Sequence, residues 1–114
     1  MIVKTTRDYS DKQEKELAKM FNGKPTVNSG GTKFGGGDVL TRDLLIEAKT
    51  TTTDRQSFSI KKEWLEKARE QAFEQHKNFW TLAFRFSPDG RDYYVVDKKC
   101  IDLLIEKIGE GNND

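Results

Sequence analysis

Residues 37–49 constrain the fold of this 114-residue chain more than any other stretch. Their pattern predicts a β-hairpin with Arg42 and Asp43 at its tip, and this register places Asp38 directly opposite Glu47. Directly opposed side chains share one face of a sheet, with Cβ atoms roughly 5 Å apart. Lys49, two residues beyond Glu47, projects from the same face. The hairpin therefore gathers two carboxylates and a lysine on one face.

Two carboxylates held this close repel each other. At roughly 5 Å and an effective dielectric constant of about 20, the repulsion is about 3 kcal/mol, a large fraction of the stability of a small domain. Lys49 supplies one compensating charge. A hard divalent cation is a better match, because Mg²⁺ is bound in proteins by one or two carboxylates together with waters and phosphates. Asp38 and Glu47 therefore predict a Mg²⁺ site in which Mn²⁺ could substitute.

Composition limits the chemistry further. The chain carries 20 Lys and Arg, 19 Asp and Glu, one His and one Cys, with a formal net charge of +1. A single cysteine and a single histidine exclude an internal disulfide, a cysteine-rich zinc site and a His-based catalytic triad, so any catalysis must use carboxylates, lysine and metal. The near-neutral charge counts mildly against a nucleic-acid partner. Without a long apolar run or a signal-peptide core, the sequence predicts an intracellular, cytoplasmic protein that contacts no membrane.

The whole chain is expected to form a single α/β domain over residues 1–109, followed by a flexible tail over 110–114. The predicted order is α-β-β-β-α-β-β-α, a small mixed sheet with helices packed on it. The predicted elements are a helix from a capping box at 10–13 to Phe21, a short strand within 25–32, a glycine-rich loop over 30–37, the hairpin, a helix over about 59–76, strands over 79–86 and 92–96, and a last helix between an N-cap at Asp97 and a C-cap at Gly109.

Helical phase singles out one more acidic residue. In the first predicted helix, Glu14 falls in the middle of the apolar stripe formed by Leu17, Ala18 and Phe21, whereas Glu16 points away from it. A carboxylate in this helix is therefore expected to face the sheet.

An acidic helix residue, then Gly-Asp-Val, then Glu-x-Lys at the end of the next strand, resembles the PD-(D/E)xK nuclease superfamily. The match is similar in more detail to the archaeal and phage Holliday-junction resolvases, over roughly residues 10–86. Gly37 stands where the superfamily's name has a proline, a departure that is common in this branch. The matching segments are Gln13-Glu14-Lys15-Glu16-Leu17, Asn28-Ser29-Gly30-Gly31, Gly37-Asp38-Val39, Ile46-Glu47-Ala48-Lys49-Thr50 and Thr81-Leu82-Ala83-Phe84-Arg85-Phe86.

The resemblance implies a restriction-endonuclease-like core and a role for each residue of the cluster. Asp38 and Glu47 would be metal ligands, with the backbone carbonyl of Ala48 as the third protein ligand. Glu14 would bind a second metal ion or hold a water at the site. Lys49 would orient the attacking water and neutralise charge on the phosphate.

Other polar residues are candidates for DNA contacts, although a solvated mixed surface is an equally good reading of any one of the basic side chains. Gln71 is included because related enzymes often have glutamine or lysine at that place. The large aromatic residues Trp64, Phe73, Phe79, Trp80 and Phe84 are expected in the core. The candidate DNA-binding residues are Ser29, Lys33, Arg42, Lys61, Lys62, Gln71 and Arg85.

The resemblance implies a metal-dependent, structure-selective DNA endonuclease that hydrolyses phosphodiester bonds without an organic cofactor. Among such enzymes it favours a Holliday-junction resolvase of DNA recombination, which could be phage-encoded and act in a bacterial host. A four-way junction has near two-fold symmetry, so a homodimer with one site per protomer fits it. Two alternatives stay open. One is a PD-(D/E)xK nuclease for flap, nicked or single-stranded DNA, and the other is a non-catalytic nucleic-acid-binding module.

Overall fold

The structure is a computed structural model that describes residues 6–26 and 38–111. The predicted glycine-rich loop and the candidate DNA-binding residues Ser29 and Lys33 lie outside these ranges. The order of elements confirms the predicted α-β-β-β-α-β-β-α. In chain order they are α1 (Thr6–Phe21), β1 (Lys24–Pro25), β2 (Asp38–Leu40), β3 (Leu44–Thr50), α2 (Lys62–Glu74), β4 (Phe79–Arg85), β5 (Tyr93–Val96) and α3 (Lys98–Gly111).

The strands form one mixed sheet in the order β1-β2-β3-β4-β5. β3 and β4 are parallel, while the other neighbouring pairs are antiparallel. A parallel pair needs a crossover connection, and α2 supplies it here. The predicted mixed α/β fold is therefore confirmed. No helix in residues 6–26 or 38–111 is long and apolar enough to cross a membrane.

Alternation along β3 divides the core between the two faces of the sheet. Ile46 and Ala48 belong to a buried cluster with Leu17 of α1. Leu45 instead packs against Ala68, and with it Ala72, on α2. Because side chains two residues apart share a face, Glu47 and Lys49 lie on the α2 side with Leu45.

Helix α1 begins earlier than the sequence suggested and ends where it was expected to. It starts at Thr6, so Ser10 lies inside the helix and the predicted capping box is wrong. The segment before Ser10 contains no glycine or proline that would interrupt helical hydrogen bonding. At the other end, Asn22 adopts a left-handed φ of 54° and Gly23 N donates to Ala18 O at 2.8 Å. This six-to-one bond closes the helix as a Schellman motif.

Helix α2, in contrast, starts later than predicted, at Lys62, because Lys61 is still extended at its N-cap position. Its two alanines, Ala68 and Ala72, turn toward the sheet. Phe73, one position and about 100° further round the helix, is 84% exposed. The expectation that Phe73 belongs to the core is therefore wrong.

Helix α3 differs most from its prediction. Cys100 N donates to Asp97 Oδ1 at 3.1 Å, which confirms the N-cap. Gly109, however, is an interior residue of a helix that runs to Gly111, so the predicted C-cap is wrong. Four apolar residues that recur at helical spacing along α3 are exposed to solvent, although the helices were expected to pack on the sheet. These residues and their exposed fractions are Ile101 (40%), Leu104 (46%), Ile105 (61%) and Ile108 (65%).

A buried polar network joins α1 to the sheet. Gln13, fully buried in α1, donates through Nε2 to the backbone oxygens of Lys49 (3.0 Å) and Ala83 (3.2 Å) and to Asp92 Oδ1 (3.0 Å). The same Asp92 carboxylate accepts from Arg85 Nε at 2.8 Å and from Arg85 Nη2 at 2.9 Å. These bonds fix the residue next to Glu14 against the ends of β3 and β4.

Candidate metal centre

The hairpin register is the one that the sequence predicted. Asp38 pairs with Glu47 across β2 and β3. On its other side, Asp38 N donates to Thr26 Oγ1 at 3.0 Å and Asp38 O accepts from Thr26 N at 2.7 Å. With both backbone groups of Asp38 used by Thr26, Asp38 and Glu47 form a non-hydrogen-bonded pair. Opposed side chains come closest at such positions, so the backbone brings the two carboxylates together.

Both carboxylates are removed from water and incompletely paired. Asp38 is 8% and Glu47 1% exposed. Among the described residues, neither Asp38 Oδ1 nor Glu47 Oε2 has a hydrogen-bond partner, although both atoms are buried. Buried polar atoms in native proteins are nearly always satisfied, so two orphaned oxygens on facing carboxylates call for an explanation.

The closeness of the two acids also raises the pKa of Asp38. Burial, hydrogen bonding to Glu47 and the negative charge of Glu47 raise the pKa of Asp38 to about 9, against a lowering effect of Lys67 and with a small further rise from Glu14. Near neutral pH the pair therefore holds one proton between its carboxyl groups, because two adjacent carboxylates cannot both ionise without a compensating cation.

Lys49 lies beside this pair. Its Nζ is 3.4 Å from Glu47 Oε1, and its side chain is 17% exposed. The same Nζ lies 4.8 Å from the centre of the Trp64 ring, within the range of a cation–π interaction. The ammonium is thus held between a carboxylate and an aromatic face, with a small part of the side chain open to solvent.

A cavity of about 280 Å³ opens over Glu47 and Lys49, and α2 supplies its other wall. That wall consists of Glu63, Trp64 and Lys67, which sequence reasoning did not assign to the site. Trp64 was expected in the core. The sequence held one indication of this wall. Glu63 and Lys67 precede Gln71 at intervals of four residues, so the three side chains follow one face of α2.

The backbone of Ala48 faces the β2 side of β3. Thr51 N donates to Arg85 O at 3.4 Å on the β4 side, and Glu47, paired with Asp38 without hydrogen bonds, also directs its backbone groups to β4. Backbone directions alternate along a strand, so the Ala48 carbonyl points the other way, to the side that carries Asp38. The carbonyl that the resemblance names as a ligand therefore lies on the appropriate side.

Glu14 is buried, with 7% exposure, while the Glu16 side chain is 48% exposed, which confirms the predicted helical phase. Helix α1 packs on the opposite face of the sheet from Glu47. The negative charge of Glu14 nevertheless contributes to the raised pKa of Asp38. In the part of the chain that the structure describes, no three His, Cys, Asp or Glu side chains are grouped closely enough to hold one metal ion. The centre there is a pair of carboxylates, with Glu14 at its periphery.

The remaining predicted contacts are scattered. Lys61 Nζ lies 5.7 Å from the Trp64 ring centre, close to the cavity. Lys62 is exposed and pairs with Glu66 at 3.6 Å. Gln71 is half-buried, with no partner for its buried Oε1 among the described residues. Arg42 lies at the hairpin tip, seven residues from Lys49 and thus about 23 Å away along β3.

The prediction that Arg85 contacts DNA is corrected by its surroundings. Its side chain is 3% exposed. Besides its two bonds to Asp92, it donates to Glu16 Oε2 at 3.0 Å and to Pro88 O at 3.2 Å. A guanidinium buried among four acceptor contacts has no face left for a phosphate, so Arg85 is a structural residue.

The donor set fits a hard divalent cation. Mg²⁺ and Mn²⁺ prefer carboxylate and carbonyl oxygens, and Mg²⁺ commonly takes only one or two protein carboxylates, with waters and substrate phosphates completing its shell. Asp38 and Glu47 offer two such oxygens without partners, and Ala48 directs a carbonyl to the same side. A cation bound there would replace the proton that the pair otherwise holds.

Comparison with known proteins adds no further assignment: the chain matches no protein-family model, no curated protein and no solved structure.

Proposed function

We propose that this protein is a metal-dependent DNA endonuclease with a restriction-endonuclease-like core, acting on branched DNA as a Holliday-junction resolvase. The observation that carries the proposal is the pairing of Asp38 with Glu47 at a non-hydrogen-bonded position, with one orphaned oxygen on each and Lys49 Nζ at 3.4 Å from Glu47. Metal-assisted phosphodiester hydrolysis needs a cation held beside the phosphate, and two facing carboxylates with a lysine next to them can hold one and offset the charge that develops.

Each residue of the proposed centre has a role that follows from its position. Asp38, Glu47 and the Ala48 carbonyl would hold Mg²⁺ or Mn²⁺, which supplies electrostatic stabilisation to the charge that develops on the phosphate oxygens. Lys49 donates hydrogen bonds from a site between Glu47 and the Trp64 ring, where it can orient a water for attack and offset phosphate charge. The cavity beside them admits the phosphate.

Cationic side chains around the cavity favour a phosphate-containing substrate. Lys49 and Lys67 line the cavity, and Lys61 approaches its Trp64 wall. Each can contribute a phosphate contact, and such contacts position the nucleic acid without reading its sequence. Glu47 and Glu63 also line the cavity, so a cation held at the carboxylate pair would supply the excess positive charge that favours a phosphate.

A cleavage assay on a panel of substrates tests the proposal. End-labelled four-way junction, flap, nicked duplex, single strand and linear duplex are each incubated with the protein, with Mg²⁺ or with chelator. The proposal expects symmetric cuts near the junction centre that chelator abolishes. Preferential cutting of flap, nicked or single-stranded DNA would assign a nuclease of another specificity, and junction binding without any cutting would assign a non-catalytic module.

A further inference from the structure

Five aromatic side chains form one continuous cluster beside the proposed centre. Their ring centroids lie 5.2 to 6.4 Å apart along the cluster. Tyr93 is 46% exposed, and the other four side chains are half-buried. Aromatic rings dominate both the cores and the interfaces of proteins, and rings that keep exposed surface beside a site indicate an interface. The members of this aromatic cluster are Phe58, Trp64, Phe84, Phe86 and Tyr93.

The strand register places the aromatic cluster on the face of the sheet that carries the centre. Lys49 pairs with Phe84 across β3 and β4, and Phe84 pairs with Tyr93 across β4 and β5. Paired residues of neighbouring strands share a face, so these three side chains form a row on the same side as Glu47. Neighbouring strands lie about 4.8 Å apart, so the Tyr93 backbone is roughly 10 Å from that of Lys49. The aromatic cluster therefore adjoins the point at which the proposed function places a phosphate.

Three of the rings form a stacked series that ends at Tyr93. Phe58 stacks on Phe84 at 5.2 Å and an interplanar angle of 24°, and Phe84 stacks on Tyr93 at 5.8 Å and 30°. Phe86 meets both Phe84 (5.5 Å) and Tyr93 (5.6 Å) edge-on, so the three centroids form a nearly equilateral triangle. Phe86 thus lies beside the stacked pair and not on the face of Tyr93 that points away from Phe84. β5 is an outer strand of the sheet, so no further strand among the described residues covers that face.

Cations lie at the other end of the aromatic cluster. Lys49 Nζ is 4.8 Å and Lys61 Nζ 5.7 Å from the centre of the Trp64 ring. Flat rings with ammonium groups at one end match the two parts of a nucleotide, a planar base and an anionic phosphate. Stacking of a base on an aromatic side chain contributes about 1 to 3 kcal/mol and tolerates any sequence. The arrangement therefore favours a nucleotide as the occupant.

The free face of Tyr93 selects for a particular kind of base. A base within a continuous duplex is stacked on both sides, and unstacking it is costly, whereas a base that is already unpaired or unstacked can be bound at little cost. We propose that Tyr93 stacks on an unstacked nucleobase of branched DNA, beside the phosphate at Lys49. This inference rests on the proposed function and narrows its substrate to DNA in which a branch frees a base next to the bond that is cut.

Binding of a labelled four-way junction in chelator, measured by fluorescence anisotropy, tests the stacking without cleavage. Tyr93→Leu should weaken junction binding by about 5- to 150-fold, or about 1 to 3 kcal/mol, and leave binding of linear duplex unchanged. Tyr93→Phe should bind the junction as the wild type does, because stacking uses the ring and not the hydroxyl group. Tyr94→Leu is the matched control, since Tyr94 is 40% exposed, follows Tyr93 in β5 and points to the opposite face of the sheet.

A second arm uses the wild-type protein and so does not depend on the folding of a variant. Junctions that carry abasic sites next to the branch point lack the base that Tyr93 would contact. The wild type should bind them more weakly than the intact junction, by the same factor as Tyr93→Leu binds the intact junction. Combining Tyr93→Leu with the abasic junction should weaken binding no further, because both changes remove one and the same contact.

The stacking would be overturned by unchanged junction binding in Tyr93→Leu, by equal losses on junction and duplex, by an equal loss in Tyr94→Leu, or by additive effects of Tyr93→Leu and the abasic sites. Cleavage of the same junction with Mg²⁺ separates this inference from the proposed function. Cutting without any effect of Tyr93→Leu on binding would remove the stacking and keep the nuclease. Junction binding that depends on Tyr93 but leads to no cutting would do the reverse.

Discussion

Asp38 and Glu47 face each other at a non-hydrogen-bonded position of an antiparallel strand pair, each with a buried oxygen that has no partner among the described residues. The backbone enforces this contact, since Thr26 occupies both backbone groups of Asp38. A buried carboxyl pair held together by the backbone costs folding stability as the pH rises and the pair loses its proton, and such costly arrangements cluster at functional sites.

The first prediction concerns metal binding. The double variant Asp38→Asn/Glu47→Gln should lose Mn²⁺ binding measured by titration calorimetry, because it removes both anionic ligands while keeping their size. The control Asp43→Asn/Glu70→Gln also removes two carboxylates, one at the hairpin tip and one on the exposed face of α2. If both double variants bind Mn²⁺ as the wild type does, the metal site lies elsewhere.

The second prediction concerns protons released by the metal. The pKa of Asp38 is raised to about 9, so near neutral pH the pair carries a proton that a divalent cation must displace. Calorimetry at pH 7 in buffers of different ionisation enthalpy should show release of about one proton per metal ion. Affinity should rise with pH and level off above about pH 9. Binding with no proton release would mean that the carboxyl pair is not the ligand.

The third prediction concerns stability without metal. The pKa of Asp38 is raised from 3.8 in the reference state to about 9 in the folded protein, so between these values the folded state holds a proton that the unfolded state has lost. The contribution of this proton to the free energy of unfolding is complete below about pH 4. It is lost as the pH rises toward 9, by up to about 1.4 kcal/mol per pH unit. Urea unfolding in chelator at pH 6 and pH 8 should show this fall, and Asp38→Asn should abolish it.

The fourth prediction concerns the buried network beneath the centre. Arg85→Met should destabilise the protein by about 3 kcal/mol, because it leaves the Asp92 carboxylate half-buried without its main partner. Arg85→Met/Asp92→Leu should recover part of that loss. Denaturant unfolding measures both, with the exposed Lys62→Met as the control. Equal stability of Arg85→Met and Lys62→Met would show that the network contributes nothing.

The features of the fold and of the site that the sequence predicts correctly are those set by residues close together in the chain. The opposition of Asp38 and Glu47 was predictable because a tight hairpin tip fixes the register of the strands that follow it. The burial of Glu14 was predictable because helical phase depends only on spacing. Both depend on fewer than about 15 neighbouring residues.

The features that the sequence did not reveal depend on packing between distant segments. Trp64 and Lys67 reach the site because Ala68 and Ala72 let α2 approach the sheet closely on the face that carries Glu47. In the sequence, Arg85 resembles a basic residue that could bind phosphate. The structure shows that the chain turns back after β4 and brings the Asp92 carboxylate to the Arg85 guanidinium. The apolar residues of α3 recur at helical spacing in the sequence, but this spacing alone does not show whether the sheet or another molecule covers them.

The most direct test of the proposed centre is single-turnover cleavage of a four-way junction by Lys49→Ala, beside the exposed control Lys98→Ala on α3. Lys49 is held beside the carboxylate pair, so its loss should lower the cleavage rate by about 10² to 10³, as removal of one transition-state donor does. Junction binding should stay within about tenfold, or about 1.4 kcal/mol, since one phosphate contact is a small part of the interface. Lys98→Ala should cut at the wild-type rate. Cleavage by Lys49→Ala at the rate of Lys98→Ala would contradict the account.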